Sequence, residues 1–257
     1  MCRLAAYSGP EITLQEFIIS PAHSLYKQSW EPEEMQEAKV NADGFGFAWY
    51  DAQTLPRRYR ITQPIWSDVN LPDLANSLRQ TLWLAYVRSA TAGQGMGPEN
   101  TQPFLHNNLS FIHNGYVTEF QQLKPRFIES IETQFLSLIK GNTDSEYLFA
   151  LWLQCLSTSD SFFQSLNVFS TILKPLCNDN PTLVNIIISD GKQLAALKHA
   201  IGSEPPSLYY LEANTNTGNS IIIASEPFNE TEEWQSLPND SILIVDKEHK
   251  CQIHQLT

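Results

Sequence analysis

The spacing of apolar residues changes twice along the chain, and it predicts strands, then helices, then strands again. Short apolar runs bounded by turn residues predict strands in the N-terminal part. Between 120 and 173 the apolar positions recur every three or four residues, which predicts two or three helices with a break near Pro125. Strands are expected at 4–7, 45–50, 57–61, 81–87 and 109–113, and again at 182–189, 193–199, 208–211, 220–224, 241–246 and 250–255.

This order of elements favours an α+β fold. Strict alternation of strand and helix would indicate a parallel α/β sheet, and it is absent here. Two antiparallel sheets covered by helices fit the pattern better. No repeat, low-complexity segment or linker interrupts it, so a single domain over residues 1–257 is expected.

Local signals add shorter elements. Helical spacing is expected at 14–18, 32–38 and 72–78, whereas 22–30 reads as a loop. Thr143 followed by Glu146 fits a capping box at a helix start. The list of turn signals includes Ser8-Gly9-Pro10, Asp190-Gly191 and Asn114-Gly115, the last being a hairpin signal without a clear strand directly after it.

The charge and hydropathy of the chain bear on which binding partners and which cellular location are expected. The formal net charge of -12 disfavours nucleic acid and anionic membranes as partners. No apolar run is long enough to span a bilayer. Glu11 comes too early for a secretory signal peptide and no apolar region follows it, so a cytoplasmic location is expected.

The four cysteines do not indicate a metal site or a disulfide framework. They are widely spaced and no C-x-x-C pair occurs, so neither a metal nor another cofactor is predicted. Cys155, Cys177 and Cys251 are interpreted as core residues or chance placements. Cys2 differs from them because it follows the initiator Met1 directly.

Cys2 is a candidate nucleophile. Its side chain is small enough for Met1 to be removed, which would leave a free α-amine beside the thiol. An unperturbed thiol is only a few per cent ionised at neutral pH, so it needs a base. An α-amine, with a pKa of roughly 8, can accept the thiol proton. The alternative interpretation is a small apolar residue at the start of an edge strand.

Three other positions are candidate site residues. Arg88 ends a predicted strand, Asn114 and Gly115 end another, and Asp144 lies at a predicted helix start. Each also has an ordinary explanation, as a surface cation, a hairpin turn or a favourable charge at a helix N-terminus. The glycine-rich loop 89–101 is long enough to be functional, but it has no phosphate-loop motif.

Taken together, these positions resemble the class II glutamine amidotransferases, the cysteine branch of the N-terminal nucleophile hydrolases. The resemblance covers roughly residues 1–156, and the tail with Ser225, Glu226 and Trp234 is similar to small stand-alone members. The matching segments are Met1-Cys2-Arg3, Asp43-Gly44-Phe45-Gly46-Phe47-Ala48-Trp49-Tyr50, Val87-Arg88-Ser89-Ala90-Thr91, Asn100-Thr101-Gln102-Pro103-Phe104, Phe111-Ile112-His113-Asn114-Gly115 and Thr143-Asp144-Ser145-Glu146.

The resemblance implies a four-layer αββα sandwich and a role for each position. Cys2 would form a γ-glutamyl thioester, with its own α-amine as the base. Asn114 and Gly115 would donate to the oxyanion of the tetrahedral intermediate. Arg88 and Asp144 would bind the α-carboxylate and α-ammonium of a small γ-glutamyl substrate. The resemblance also implies that Thr91 lines the γ-glutamyl site and that His113 is structural.

Several functions are compatible with this resemblance. A stand-alone γ-glutamyl hydrolase is favoured because no synthetase domain or docking segment is visible. Similar members act on γ-glutamyl-hercynylcysteine sulfoxide in ergothioneine biosynthesis. A glutaminase subunit that supplies ammonia to a separate synthetase partner is the first alternative. A non-catalytic binding module and an acylase for apolar acyl groups are further ones, and the acylase would not need Arg88 paired with Asp144.

Overall fold

The computed structural model describes residues 1–34, 40–90, 95–215, 218–231 and 233–257, and these form two sheets flanked by helices. The strands are β1 (Arg3–Thr13), β2 (Phe45–Tyr50), β3 (Pro56–Ile61), β4 (Arg79–Val87), β5 (Phe104–His106), β6 (Leu109–Val117), β7 (Thr182–Ser189), β8 (Leu194–Ile201), β9 (Tyr209–Thr215), β10 (Gly218–Ala224), β11 (Gln235–Ser236), β12 (Ser241–Val245) and β13 (Cys251–Gln255). The helices are α1 (Leu14–Ile18), α2 (Leu25–Gln28), α3 (Leu71–Ser77), α4 (Phe120–Ser130), α5 (Thr133–Leu136), α6 (Asp144–Ser157) and α7 (Phe162–Cys177).

Both sheets are antiparallel within the described residues. The first has the strand order β11-β9-β10-β1-β4-β2-β3, and the second β13-β12-β8-β7-β6-β5. Strand β1 lies between β10 and β4, at the centre of the first sheet. Cys2 therefore precedes a central strand, and its interpretation as the start of an edge strand is wrong.

Three apolar clusters show how the layers stack. The first lies between α1–α3 and the outer face of the first sheet and includes Phe17 and Trp83. The second fills the space between the sheets, where it includes Leu84 and Ile187. The third, which includes Trp152, lies between the second sheet and α4–α7. This order of helices, sheet, sheet and helices confirms the predicted α+β fold with four αββα layers.

Two expected turns are absent because distant strands supply partners. Strand β1 continues through Pro10 to Thr13, and a register shift between Ser8 and Ile12 accommodates the proline. Strand β6 continues through Asn114, which pairs with Asn185 of β7. The hairpin interpretation of Asn114-Gly115 is therefore wrong, whereas β7 and β8 do form the hairpin expected at 190–191.

Several helix expectations also needed correction. A short helix, α2, occupies part of the expected loop 22–30. Most of the predicted helix 32–38 falls on residues outside the described part of the chain. Helix α4 continues through Pro125, because Phe120, Leu123 and Phe127 on both sides of it are buried.

No helix in the described ranges has the length and apolar character needed to cross a bilayer.

Candidate active site

Side chains alternate between the two faces of a strand, and this alternation places the candidate side chains in the space between the sheets. Cys2 and Tyr86 belong to the apolar cluster that fills this space, and so does Ile112 of β6. Because alternate residues share a face, Arg88 follows Tyr86 and Asn114 follows Ile112 on that side. Segments distant in sequence therefore meet between the sheets near the N-terminus of β1.

A cavity of about 240 Å³ lies at this meeting point. Four of the predicted site residues line it, namely Cys2, Arg88, Gly115 and Asp144. Its volume is below the range of about 300–1,000 Å³ that is typical of small-molecule pockets. The space therefore suits a group of amino-acid size. Of the two other predicted site residues, Asn114 is not among the residues that line the cavity. Thr91 is outside the described residues.

The Cys2 sulfur has hydrogen-bond partners for both of its protonation states. The Tyr86 hydroxyl lies 2.8 Å from it and the Ser89 backbone N–H lies 3.4 Å away, and both are donors suited to a thiolate. The Ser89 carbonyl, also at 3.4 Å, can accept a thiol proton. The sequence interpretation missed both residues, although Tyr86 shares a strand face with Arg88.

Arg88 is held rigidly at the end of β4. Its backbone N–H donates to Gly44 O at 2.8 Å, and its carbonyl accepts from Asp43 N–H at 3.0 Å. The Asp43 carboxylate accepts the Ala90 N–H at 2.8 Å, so the Asp43-Gly44 turn fixes this strand end.

Arg88 is 2% exposed, and its guanidinium donates one N–H to Gly95 O at 3.0 Å. Its Nη1 has no hydrogen-bond partner among the described residues. A buried cation with an unused donor is suited to an anionic ligand, and its planar fork matches a carboxylate.

Asp144 is the first residue of α6, and its carboxylate is buried. One of its oxygens accepts Val117 N–H at 2.9 Å, and the other accepts Ser145 N–H at 2.8 Å. The helix N-terminus also favours a negative charge there. The ordinary explanation for Asp144 is therefore correct, and it is compatible with a binding role because the carboxylate lines the cavity.

The expected capping box at this helix start is only half formed. Thr143 accepts Glu146 N–H, but the Glu146 carboxylate accepts the N–H groups of Lys140 and Gly141 instead.

Asn114 carries a polar side chain in an apolar layer. It is fully buried, and both its amide oxygen and its amide nitrogen lack hydrogen-bond partners in the described part of the chain. Such a group costs about 1–3 kcal/mol when it stays unsatisfied, so a bound ligand that pairs it would be favoured. The next residue, Gly115, has φ +152°, and a Cβ there would lie 1.9 Å from Leu183 O. Only glycine fits this position.

His113 points away from the cavity, towards the helices. Its Nδ1 lies 2.8 Å from Ser145 Oγ and its Nε2 lies 3.2 Å from Leu183 O. Burial lowers the pKa of His113, although the charge of Asp144 acts in the opposite direction. A neutral, doubly hydrogen-bonded imidazole fits the structural role expected for it.

Gln102 has a contact that its sequence position did not suggest. Its side-chain oxygen accepts His113 N–H at 2.5 Å, and its amide donates to His113 O at 3.0 Å. The Gln102 side chain therefore makes the two backbone hydrogen bonds that a neighbouring strand would make to β6. It does so at His113, one residue before Asn114.

A buried ion pair anchors the backbone at Cys2. Arg3 donates to Cys2 O at 3.2 Å, and its Nε lies 2.7 Å from the Glu226 carboxylate. His23 lies 2.8 Å from the same carboxylate, which also accepts Glu33 N–H at 2.8 Å. Burial alone would raise the pKa of Glu226, but the His23 hydrogen bond, the Arg3 charge and backbone N–H donors together lower it.

Comparisons with known proteins find relatives over most of the chain. The family model described as class II glutamine amidotransferases matches residues 20–255. The probable glutamine amidotransferase DUG3 of Saccharomyces cerevisiae is 28% identical over 295 residues, which cover 96% of this chain and 82% of DUG3. The γ-glutamyl-hercynylcysteine sulfoxide hydrolase of Mycolicibacterium smegmatis is 26% identical over 250 residues, 97% of each chain.

Solved structures share the fold. A glutamine aminotransferase class-II domain protein from Silicibacter pomeroyi superposes over 100% of both chains with a TM-score of 0.74 and 27% identity. The phosphoribosylpyrophosphate amidotransferase of Bacillus subtilis matches 100% of this chain and 49% of its own, with a TM-score of 0.63. At 16% identity, this second likeness shows the fold alone.

Proposed function

Because this chain belongs to the class II glutamine amidotransferase family, whose relatives here are hydrolases and amidotransferases, we propose that it hydrolyses a γ-glutamyl amide with Cys2 as the nucleophile. One observation carries the proposal. Cys2, Arg88 and Asp144 line the same cavity of about 240 Å³. A nucleophile, a cation and an anion around an amino-acid-sized space match the parts of a γ-glutamyl group.

Substrate binding follows from the two charges. The unused Nη1 of Arg88 is suited to the α-carboxylate of the substrate, and the Asp144 carboxylate to its α-ammonium. An apolar acyl group would offer neither charge, so the pair argues against an acylase. The small cavity holds the γ-glutamyl head, and the leaving amine extends through the cavity opening.

In acylation, the α-amine of Cys2 takes the thiol proton and the sulfur attacks the γ-carbonyl carbon. The Asn114 amide and the Gly115 N–H donate to the resulting oxyanion, each contributing roughly 3–4 kcal/mol to its stabilisation. The ammonium formed on Cys2 then protonates the leaving nitrogen as the C–N bond breaks. A γ-glutamyl thioester remains on the sulfur.

In hydrolysis, water attacks the thioester and its proton passes to the same α-amine. The carbon–sulfur bond breaks, glutamate is released, and the ammonium returns its proton to the thiolate, which restores the thiol and the neutral amine. This scheme needs Met1 to be removed, because the α-amine otherwise belongs to Met1. Met1 lines the cavity, so its removal leaves the Cys2 amine in that space.

The leaving group is proposed from the relatives. The Mycolicibacterium smegmatis hydrolase aligns over 97% of both chains, which supports a γ-glutamyl conjugate related to γ-glutamyl-hercynylcysteine sulfoxide. The likeness to the probable amidotransferase DUG3 supports the second candidate, a glutaminase that passes ammonia to a synthetase. The single domain over 1–257 and the cytoplasmic location stay predictions.

Release of glutamate from purified protein tests the proposal. We expect glutamate from a γ-glutamyl conjugate with no synthetase present, and a kcat/KM at least about tenfold above that for glutamine, since the leaving group also contributes binding energy. The matched α-glutamyl isomer should not be cleaved, because its charges are displaced from the scissile bond. Faster turnover of glutamine than of any conjugate would favour the glutaminase. Absence of γ-glutamyl cleavage would refute both.

A further inference from the structure

The Tyr86 hydroxyl lies 2.8 Å from the Cys2 sulfur and has no role in the scheme above. We propose that Tyr86 is a catalytic hydrogen-bond donor to this sulfur, which stabilises the thiolate before attack and again when the thioester breaks. The proposal rests on the proposed function, in which Cys2 is the nucleophile.

The position of Tyr86 is fixed by the sheet on both sides. It pairs with Leu4 of β1, two residues after Cys2, and with Gly46 of β2. Its side chain is 3% exposed and packs in the apolar cluster between the sheets. A ring packed in this way holds its hydroxyl towards the sulfur without further ordering when substrate binds.

The hydroxyl keeps its proton at neutral pH. Burial raises the pKa of Tyr86 well above its usual value, and the neighbouring Cys2 raises it further, whereas Arg88 lowers it. The other charged groups that act on this pair are Asp144 from α6 and Arg3 beside Cys2. Tyr86 is therefore a donor here and does not serve as a base.

A hydrogen-bond donor at this place favours the thiolate state of the Cys2 sulfur. A thiol can donate to the Ser89 carbonyl, and a thiolate can accept from both the Tyr86 hydroxyl and the Ser89 N–H. In acylation, the thiol proton goes to the α-amine and none leaves Tyr86. In hydrolysis, the carbon–sulfur electron pair moves onto sulfur, where the same two donors stabilise it.

The variant Tyr86→Phe removes only this donor, and Tyr50→Phe is its matched control. Tyr50 belongs to the same inter-sheet cluster, but its hydroxyl donates to Ser189 O at 2.8 Å. The readout is the rate of Cys2 alkylation by iodoacetamide against pH, with peptide mapping to separate Cys2 from the half-buried Cys251.

We expect the pH midpoint of alkylation to rise by about one to two units in Tyr86→Phe, because a hydrogen bond to a charged group is lost. The midpoint should not move in Tyr50→Phe. The kcat should fall roughly 10- to 100-fold with little change in KM, since the donor acts on the sulfur and does not bind the substrate. A role in packing alone would leave the midpoint unchanged.

A second substitution covers the case in which Tyr86→Phe does not fold. Replacing Tyr86 with 3,5-difluorotyrosine keeps the ring and hydroxyl but makes the hydroxyl a stronger donor, so the midpoint should fall. An unchanged midpoint in a folded variant of either kind would overturn the role of Tyr86 while leaving Cys2 as the nucleophile. Wild-type protein whose Cys2 cannot be alkylated at any pH would overturn the proposed function as well.

Discussion

The variant Cys2→Ala is expected to lose hydrolysis of γ-glutamyl amides by at least about 10⁴-fold while keeping its fold. Removing a nucleophile leaves only binding and oxyanion stabilisation, which account for a small part of the rate. Cys2 is small and lies next to the cavity, so the substitution removes little packing. The measurements are glutamate release and the thermal unfolding midpoint, which should change by only a few degrees.

Cys251→Ala is the matched control for this variant. Its thiol is half-buried in β13 and does not line the cavity, so turnover should be close to that of the wild type. Turnover by Cys2→Ala within tenfold of the wild type would remove Cys2 from the reaction.

The variant Arg88→Lys is expected to raise KM for γ-glutamyl substrates by about 10- to 100-fold. One ammonium cannot reproduce the two-pronged contact of the guanidinium with a carboxylate, and a hydrogen bond to a charged group contributes about 1.5–3 kcal/mol. The bond from Arg88 to Gly95 O is also lost, which adds to the effect. Steady-state kinetics separate KM from kcat, and kcat should change by only about threefold because the sulfur and its donors remain.

Arg60→Lys is a suitable control, because Arg60 lines a different cleft and donates to the Thr101 carbonyl at 2.9 Å. It should leave KM unchanged. An unchanged KM in Arg88→Lys would show that the substrate carboxylate binds elsewhere.

The apolar pattern predicted most of the strands because alternation records which face of a strand is buried. It failed where the deciding partner is distant in sequence. Pro10 signals a turn locally, but β1 continues because a register shift against β4 accommodates it. Asn114-Gly115 signals a hairpin, but β6 continues because β7, from residues 182–189, supplies its hydrogen bonds.

The candidate site also contains residues that the sequence could identify and residues whose role depends on distant partners. Cys2, Arg88, Gly115 and Asp144 each have an ordinary explanation when taken alone, and they could be predicted together only because their segments resemble the family. They do line one cavity. Tyr86 could not be recognised, because its significance lies in a contact across 84 residues of sequence. Gln102 likewise depends on a paired amide that only the folded chain brings beside β6.

The central claim, that a freed α-amine and its own sulfur act in a pocket for a γ-glutamyl group, is tested most directly by one mass measurement. Protein isolated from cells is treated with 6-diazo-5-oxo-norleucine, a glutamine-like electrophile, and its intact mass and labelled peptide are determined. We predict a chain that lacks Met1 and carries one adduct, on Cys2, and no adduct in Cys2→Ala. Active protein that retains Met1, or that is labelled at another residue, would contradict this claim.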